Sequence, residues 1–231
     1  MSRIRITISG VFESTVQRLV ASELLNAGNW FSSRNFLGSL PSTFGAPSLG
    51  VASKGIELGA PLAGGSAIQF VSLRDAGEDL AFVRSLRMTP DELSEEVNGV
   101  TALKFDDRVA ELKDSLFDGR KQTIRADKGS QTVEGGDLKD NIKTGRGNDL
   151  GVATTGNDKV DLGAGKKDVY SFEALAEQAL EAALVWRKGA AEILGFTQSV
   201  VGAEQIVGTP NDDLMVGSGR ANVFFGLPGD D

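Results

Sequence analysis

The 231-residue chain contains neither cysteine nor histidine. Without cysteine there is no disulfide framework, no zinc–thiolate site and no thiol nucleophile. Without histidine there is no Ser–His–Asp or Cys–His catalysis, no H-E-x-x-H zinc site and no histidine pH switch. Aromatic residues are scarce at 6%, and there are only 6 prolines. No run of about 18 apolar residues occurs, so no segment is expected to span a membrane. The N-terminus has no basic region followed by an apolar stretch, which argues against a cleaved signal peptide. Gly64-Gly65 lacks the Lys-Ser/Thr of a phosphate loop, and no G-x-S-x-G elbow is present.

Glycine is abundant, at 29 residues, and 40% of the chain is hydrophobic. This composition favours strands and tight turns over a helical bundle. Charge is uneven. Residues 1–132 carry fifteen basic and sixteen acidic side chains, whereas residues 133–231 carry nine basic and sixteen acidic. The overall charge of −8 therefore sits mostly in the second half. An acidic half suits cations and argues against nucleic acid as a partner.

The acidic half contains a period. Residues 135–170 read GGDLKDNIK, TGRGNDLGV, ATTGNDKVD and LGAGKKDVY, four nine-residue units without a gap. The sixth positions are Asp140, Asp149, Asp158 and Lys167, and the eighth are Ile142, Gly151, Val160 and Val169. Nine residues cannot bury an apolar face alone, so the units must stack. A short strand around the eighth position points its side chain inward, and the glycine-rich residues before it turn the chain. Two turns and two strands close one coil of 18 residues. Asp140 then lies over Asp158, and Asp149 over Lys167. Stacked carboxylates repel unless a cation separates them. Carboxylates with turn carbonyls, including those of Gly147 and Gly156, form a hard all-oxygen site suited to Ca2+.

These units resemble the RTX (hemolysin-type calcium-binding) repeat G-G-x-G-x-D-x-U-x. The resemblance implies a parallel β-roll ordered by Ca2+ in a secreted or cell-surface bacterial protein. It also implies type I secretion through an uncleaved C-terminal signal. Three positions depart from the pattern: Leu138, Gly151 and Lys167. Asp140/Asp158 is thus the complete pair, and the Lys167 ammonium is expected to replace an ion beside Asp149. The period resumes at Gly208 as GTPNDDLMV, GSGRANVFF and GLPGDD, with Asp213, Asn222 and Asp231 at sixth positions. Asp213 and Asp231 are expected to share a second ion. The roll is expected to lack its final strand and cap after Asp231, so that either the sequence stops short of them or another molecule completes the edge.

The remaining patterns complete the expected fold, which is mainly β with some α: a parallel β-roll of nonapeptide repeats plus an N-terminal α+β region over residues 1–132. Ser2–Ser9 alternates as a strand, and Glu13–Ala27 has helical spacing. Trp30, Phe31, Phe36 and Leu37 read as core, and one or two short strands are expected near residues 50–58. Residues 67–74 and 80–87 form a predicted hairpin. Thr89-Pro90 starts a short helix, with Thr89 as its cap. Asp106–Phe117 is a second helix, with Val109, Leu112, Leu116 and Phe117 on one face. Lys121–Arg125 and Thr132-Val133 lead as strands into the first repeat block, residues 133–170. Residues 171–207 read as a helix over 172–184 and a hairpin around Lys188-Gly189, capping the roll. Residues 208–231 form a second, incomplete block.

The expected function is a calcium-binding structural or adhesion-type module. Calcium is the expected ligand, with other protein subunits or a cell-surface polysaccharide as partners. The alternatives are a non-catalytic part of a longer secreted hydrolase, or a subunit of a larger assembly. Catalysis is disfavoured because only carboxylates and a Lys/Tyr/Arg base remain. The acid pairs Glu95/Glu96 and Asp106/Asp107 read as solvated helix faces.

Overall fold

The computed structural model describes residues 3–9, 14–26, 55–59, 70–75, 78–102, 104–176, 184–187, 189–217 and 221–231. The chain is mainly β with a few helices and divides into two compact units. One comprises residues 1–10 and 16–120, the other residues 11–15 and 121–231. The boundary lies at Arg120/Lys121, before the expected position at residue 132. Trp30, Phe31, Phe36 and Leu37 lie outside the described residues.

The first unit contains β1 (Arg3–Ile8), α1 (Val16–Asn26), β2 (Gly55–Gly59), β3 (Phe70–Asp75), β4 (Glu78–Arg84), α2 (Pro90–Gly99) and α3 (Phe105–Phe117). β1, β4, β3 and β2 are neighbours in that order, all antiparallel. Alternation in β1 buries Ile4, Ile6 and Ile8 and leaves Arg3, Arg5 and Thr7 exposed. The expected hairpin is present as β3–β4. α2 starts as its sequence dictates. Thr89 Oγ1 accepts the Glu92 N–H, and the Glu92 carboxylate accepts the Thr89 N–H, with Pro90 in the first turn. α3 buries Val109, Leu112, Leu116 and Phe117. α1 buries Val16, Val20, Ala21, Leu24 and Leu25. These are apolar stripes at helical spacing, and they supply most of this unit's driving force for folding.

In the second unit the strands form two sheets, one mixed and one wholly parallel. The parallel part of the mixed sheet is β5 (Lys121–Ala126), β7 (Asn141–Lys143), β9 (Lys159–Asp161) and β13 (Phe196–Val201). β12 (Ala190–Ile193) pairs antiparallel with β13, and β11 (Val185–Arg187) with β12. β15 (Leu214–Val216) then runs parallel to β11. The other sheet holds β6 (Thr132–Glu134), β8 (Leu150–Val152), β10 (Val169–Ser171), β14 (Gln205–Val207) and β16 (Val223–Phe225). From β5 to β10 the chain passes from one sheet to the other at every strand. Each successive pair of strands forms a rung.

Middle residues of these strands face inward. Ile124, Ile142, Val160 and Val200 align in the mixed sheet. Val133, Gly151, Tyr170, Ile206 and Phe224 align in the parallel one. The rungs therefore begin at Lys121, before the first recognisable unit. Gly151 is no lapse in the pattern: a Cβ there would stand 2.5 Å from the Tyr170 ring, which fills the space. Tyr170 also meets Phe172 edge-on at 5.2 Å, and Phe172 meets Trp186 at 6.4 Å. The expected hairpin is present as the β11–β12 pair, and a second turn lies at Leu194-Gly195. Of the expected helix over 172–184, the described residues show only a 3-10 turn, Glu173–Leu175. Residues 177–183 lie outside them.

Candidate metal centre

Two residues before each inward apolar position, a polar side chain turns into the protein. In the mixed sheet these are Gln122, Asp140, Asp158 and Gln198, the first column. In the parallel sheet they are Gln131, Asp149, Asp168, Glu204 and Asn222, the second column. From Gln122 to Gln198 and from Gln131 to Asp168 the members are buried. The turn before each strand interrupts the backbone ladder, and the columns take up the amides left over. Asp140 Oδ1 accepts the Gln122 N–H at 2.6 Å, and Asp158 Oδ1 accepts the Asp140 N–H at 2.8 Å. Asp149 and Asp168 accept the N–H groups of Gln131 and Asp149, each at 2.8 Å. Glu204 accepts that of Asp168 at 3.0 Å. Each acid thus ties its rung to the preceding one by a charge-assisted bond.

The residue just before the acid ties the rungs in the opposite sense. Asn148 Oδ1 accepts the Lys166 N–H at 3.4 Å, and Asn157 Oδ1 accepts the Thr197 N–H at 2.8 Å. Asp212 Oδ1 accepts the Asp230 N–H at 2.8 Å. The Asn-Asp and Asp-Asp pairs of the turns are therefore two-way connectors.

Burial sets the charge state. It pushes the Asp158 carboxyl up to about 7 against the pull of the Asp140 N–H, and the neighbouring Asp140 charge adds to the rise. It pushes Asp140 up to about 6 against the N–H groups of Gln122 and Gly136. Asp168 is raised for the same reason, with Asp149 and Glu204 repelling its charge. Tyr170 is raised by burial.

The structure brings Asp140 and Asp158 together as the period requires. It does not bring Lys167 to Asp149. Val169 pairs with Leu150 and Tyr170 with Gly151, so the unit after Asp161 is ten residues long, not nine. Asp168 takes the sixth place, and Lys167 is exposed. Tyr170, not Val169, is the fully inward residue. The Asp213 N–H donates to Asp231 Oδ1 at 2.9 Å. Asn222 falls in the second column, beyond Glu204. Gly147 and Gly156 have positive φ of 151° and 131°, and a Cβ on either would meet the carbonyls of Gly129 or Leu138. Gln122, Gln131, Asp168, Gln198 and Glu204 are column members that sequence reasoning passed over. The 18-residue steps from Gln122 to Asp140 and from Gln131 to Asp149 were the available signal.

The fit of a hard cation differs along the columns. Among the described residues, no three acidic side chains converge on one point. Asp140 has an N–H donor on each oxygen, the second from Gly136 at 2.6 Å. Asp158 has donors on both as well. Asp149 differs: it is 1% exposed and its Oδ2 has no hydrogen-bond partner. One rung on, the Gly147 carbonyl and the Asp168 carboxylate crowd the same face of Gly165. A Cβ there would lie 2.2 Å from Gly147 O and 2.2 Å from Asp168 Oδ1. Asp149 Oδ2, Gly147 O and the Asp168 carboxylate are hard oxygens of the kind Ca2+ takes. Asp168 also accepts N–H groups on both oxygens, from Asp149 and Gly165, so among the buried column acids the open carboxylate oxygen is Asp149 Oδ2. No family model, curated protein or solved structure matches the chain.

Proposed function

We propose that residues 121–231 form a calcium-binding β-roll of the RTX type, serving as a structural or adhesion-type module outside the cell. The observation that carries this reading is the buried Oδ2 of Asp149, which has no hydrogen-bond partner, in the same column as Asp168. Asp149, Asp168 and the Gly147 carbonyl would hold the ion. A bound Ca2+ would supply the positive charge that offsets these buried carboxylates. The chain's own residues do the rest: the columns fix the spacing of the rungs, and the glycines let turns approach. Folding is then linked to calcium concentration, loose in a low-calcium cytosol and firm outside. The role is non-catalytic, with calcium and a surface polysaccharide or protein as partners. Export by the type I route follows from the family resemblance.

Calcium titration of the whole chain tests this, read by calorimetry and by the urea midpoint. At a hundredfold excess over the dissociation constant, stabilisation of about 2.7 kcal/mol is expected. Absence of both heat and a midpoint shift at millimolar calcium would overturn the reading.

A subunit of a larger assembly is the second reading. It is favoured by the last rung, where Leu214, Val216, Val223, Phe225 and Leu227 are all exposed. Solution mass measured with and without calcium separates the two. A monomer at every concentration would sink the assembly.

A further inference from the structure

We propose that Gln198 is a built-in substitute for a cation: its amide closes the first column, so Asp140 and Asp158 take no ion and bound calcium belongs to the second column. This rests on the calcium reading above and says where within the repeat unit that reading applies.

The two columns differ at one equivalent place. The rung after Asp158 brings Gln198, and the rung after Asp168 brings Glu204. Gln198 does not come from the nonapeptide run. It arrives on β13, the second arm of a hairpin, 40 residues beyond Asp158. It is fully buried, and its three contacts fix its orientation. The Thr154 carbonyl can only accept, so the amide nitrogen must face it, at 2.6 Å. The same nitrogen reaches Asp158 Oδ2 at 3.4 Å. Gln198 Oε1 accepts the Tyr170 hydroxyl at 2.9 Å. Tyr170 is itself held over Gly151, which has no side chain to displace it.

A carbonyl oxygen and a carboxylate oxygen facing one point are what a hard cation would bridge. In the first column an N–H group already points at both, and the other three carboxylate oxygens of Asp140 and Asp158 each accept from a backbone amide. An ion would have to displace these donors. In the second column Asp168 accepts N–H groups on both oxygens and Glu204 Oε2 accepts the Asp168 N–H, but Glu204 brings no side-chain donor and Asp149 Oδ2 is still open.

The test is calcium calorimetry on the full chain, comparing wild type with D149N, D158N and Q198E. D149N should lose one ion, or bind it at least about tenfold more weakly. D158N should keep the wild-type stoichiometry. Q198E replaces the donor with an acceptor and should gain one ion. If Q198E does not fold, as judged by circular dichroism, Q198M removes the donor at nearly constant volume and should show the same gain more weakly. Loss of an ion in D158N, or no gain in a folded Gln198 variant, overturns the proposal. If wild type binds no calcium, the functional reading fails. A gain in Q198E would then still uphold the role of Gln198, and its absence would end that too.

Discussion

The two units bury their interiors by different means. The N-terminal unit buries apolar stripes of α1 and α3 and the Ile4/Ile6/Ile8 face, and none of the acids whose burial is described there is buried. The repeat unit has thin strands, most of three residues, with one inward apolar side chain each. It makes up the shortfall with buried carboxylates that hold backbone amides. The first kind of interior answers to volume. The second answers to backbone approach, protons and ions. Perturbations chosen by mechanism should therefore separate the units.

The largest effect should come from Gly163→Ala. Gly163 has φ of +82°, and a Cβ there would lie 1.9 Å from the Gly145 carbonyl. Backbone cannot yield as a side-chain tip can, so a loss above about 4 kcal/mol is expected in urea titration. Leu112→Ala in α3 is the matching experiment in the other unit. Leu112 is fully buried, and truncation should cost about 2–5 kcal/mol. That cost should not change with pH or calcium. If it does, the proposed division of mechanism is wrong.

Proton linkage comes next in size. Folded Asp140 and Asp158 titrate near 6 and 7, against 3.8 for an ordinary aspartate. Between these values the folded chain holds protons that the unfolded chain has released. Stability of the repeat unit in chelator should therefore rise as pH falls from about 7 toward 4, and fall as pH rises. A tenfold difference in proton affinity between the folded and unfolded chain corresponds to about 1.4 kcal/mol, so the pair contributes at most a few kcal/mol. Urea midpoints between pH 4 and 8 measure the slope. A repeat unit that weakens on acidification over that range would contradict the burial of these acids.

The smallest and sharpest test is a cycle at the Gly151–Tyr170 contact. Gly151→Val alone should overpack and cost about 1–3 kcal/mol. Combined with Tyr170→Val, it should cost less than the sum of the two single changes, with a coupling of about 0.5–3 kcal/mol. Strict additivity would mean that the ring does not occupy the glycine's space.

Much of this was legible in the sequence. The capping box at Thr89, the buried face of α3 and the β3–β4 hairpin are local patterns, and local patterns survive folding. The repeat register was legible only as far as Asp161. In LGAGKKDVY an extra residue is hidden, because Lys167 occupies the sixth slot and Val169 passes for the apolar eighth. Only pairing with the neighbouring rung shows that Asp168 and Tyr170 hold those places. Gln122 and Gln131 escape notice because Gln, not Asp, holds the sixth place in their rungs. Gln198 and Glu204 were beyond reach, since β11–β13 intervene before the columns resume. Spacing along the chain does not show which strand returns to which sheet edge.

The column bonds give the stack a polarity along the chain. A rung's column amide finds its acceptor only on the rung that follows, as Asp140 N–H does on Asp158. Each rung therefore seals the one before it, and the stack has a capped side and an open side. Removing rungs from the C-terminal side reopens one amide per column at a time, whereas removing them from the N-terminal side strips a column acid of its donor.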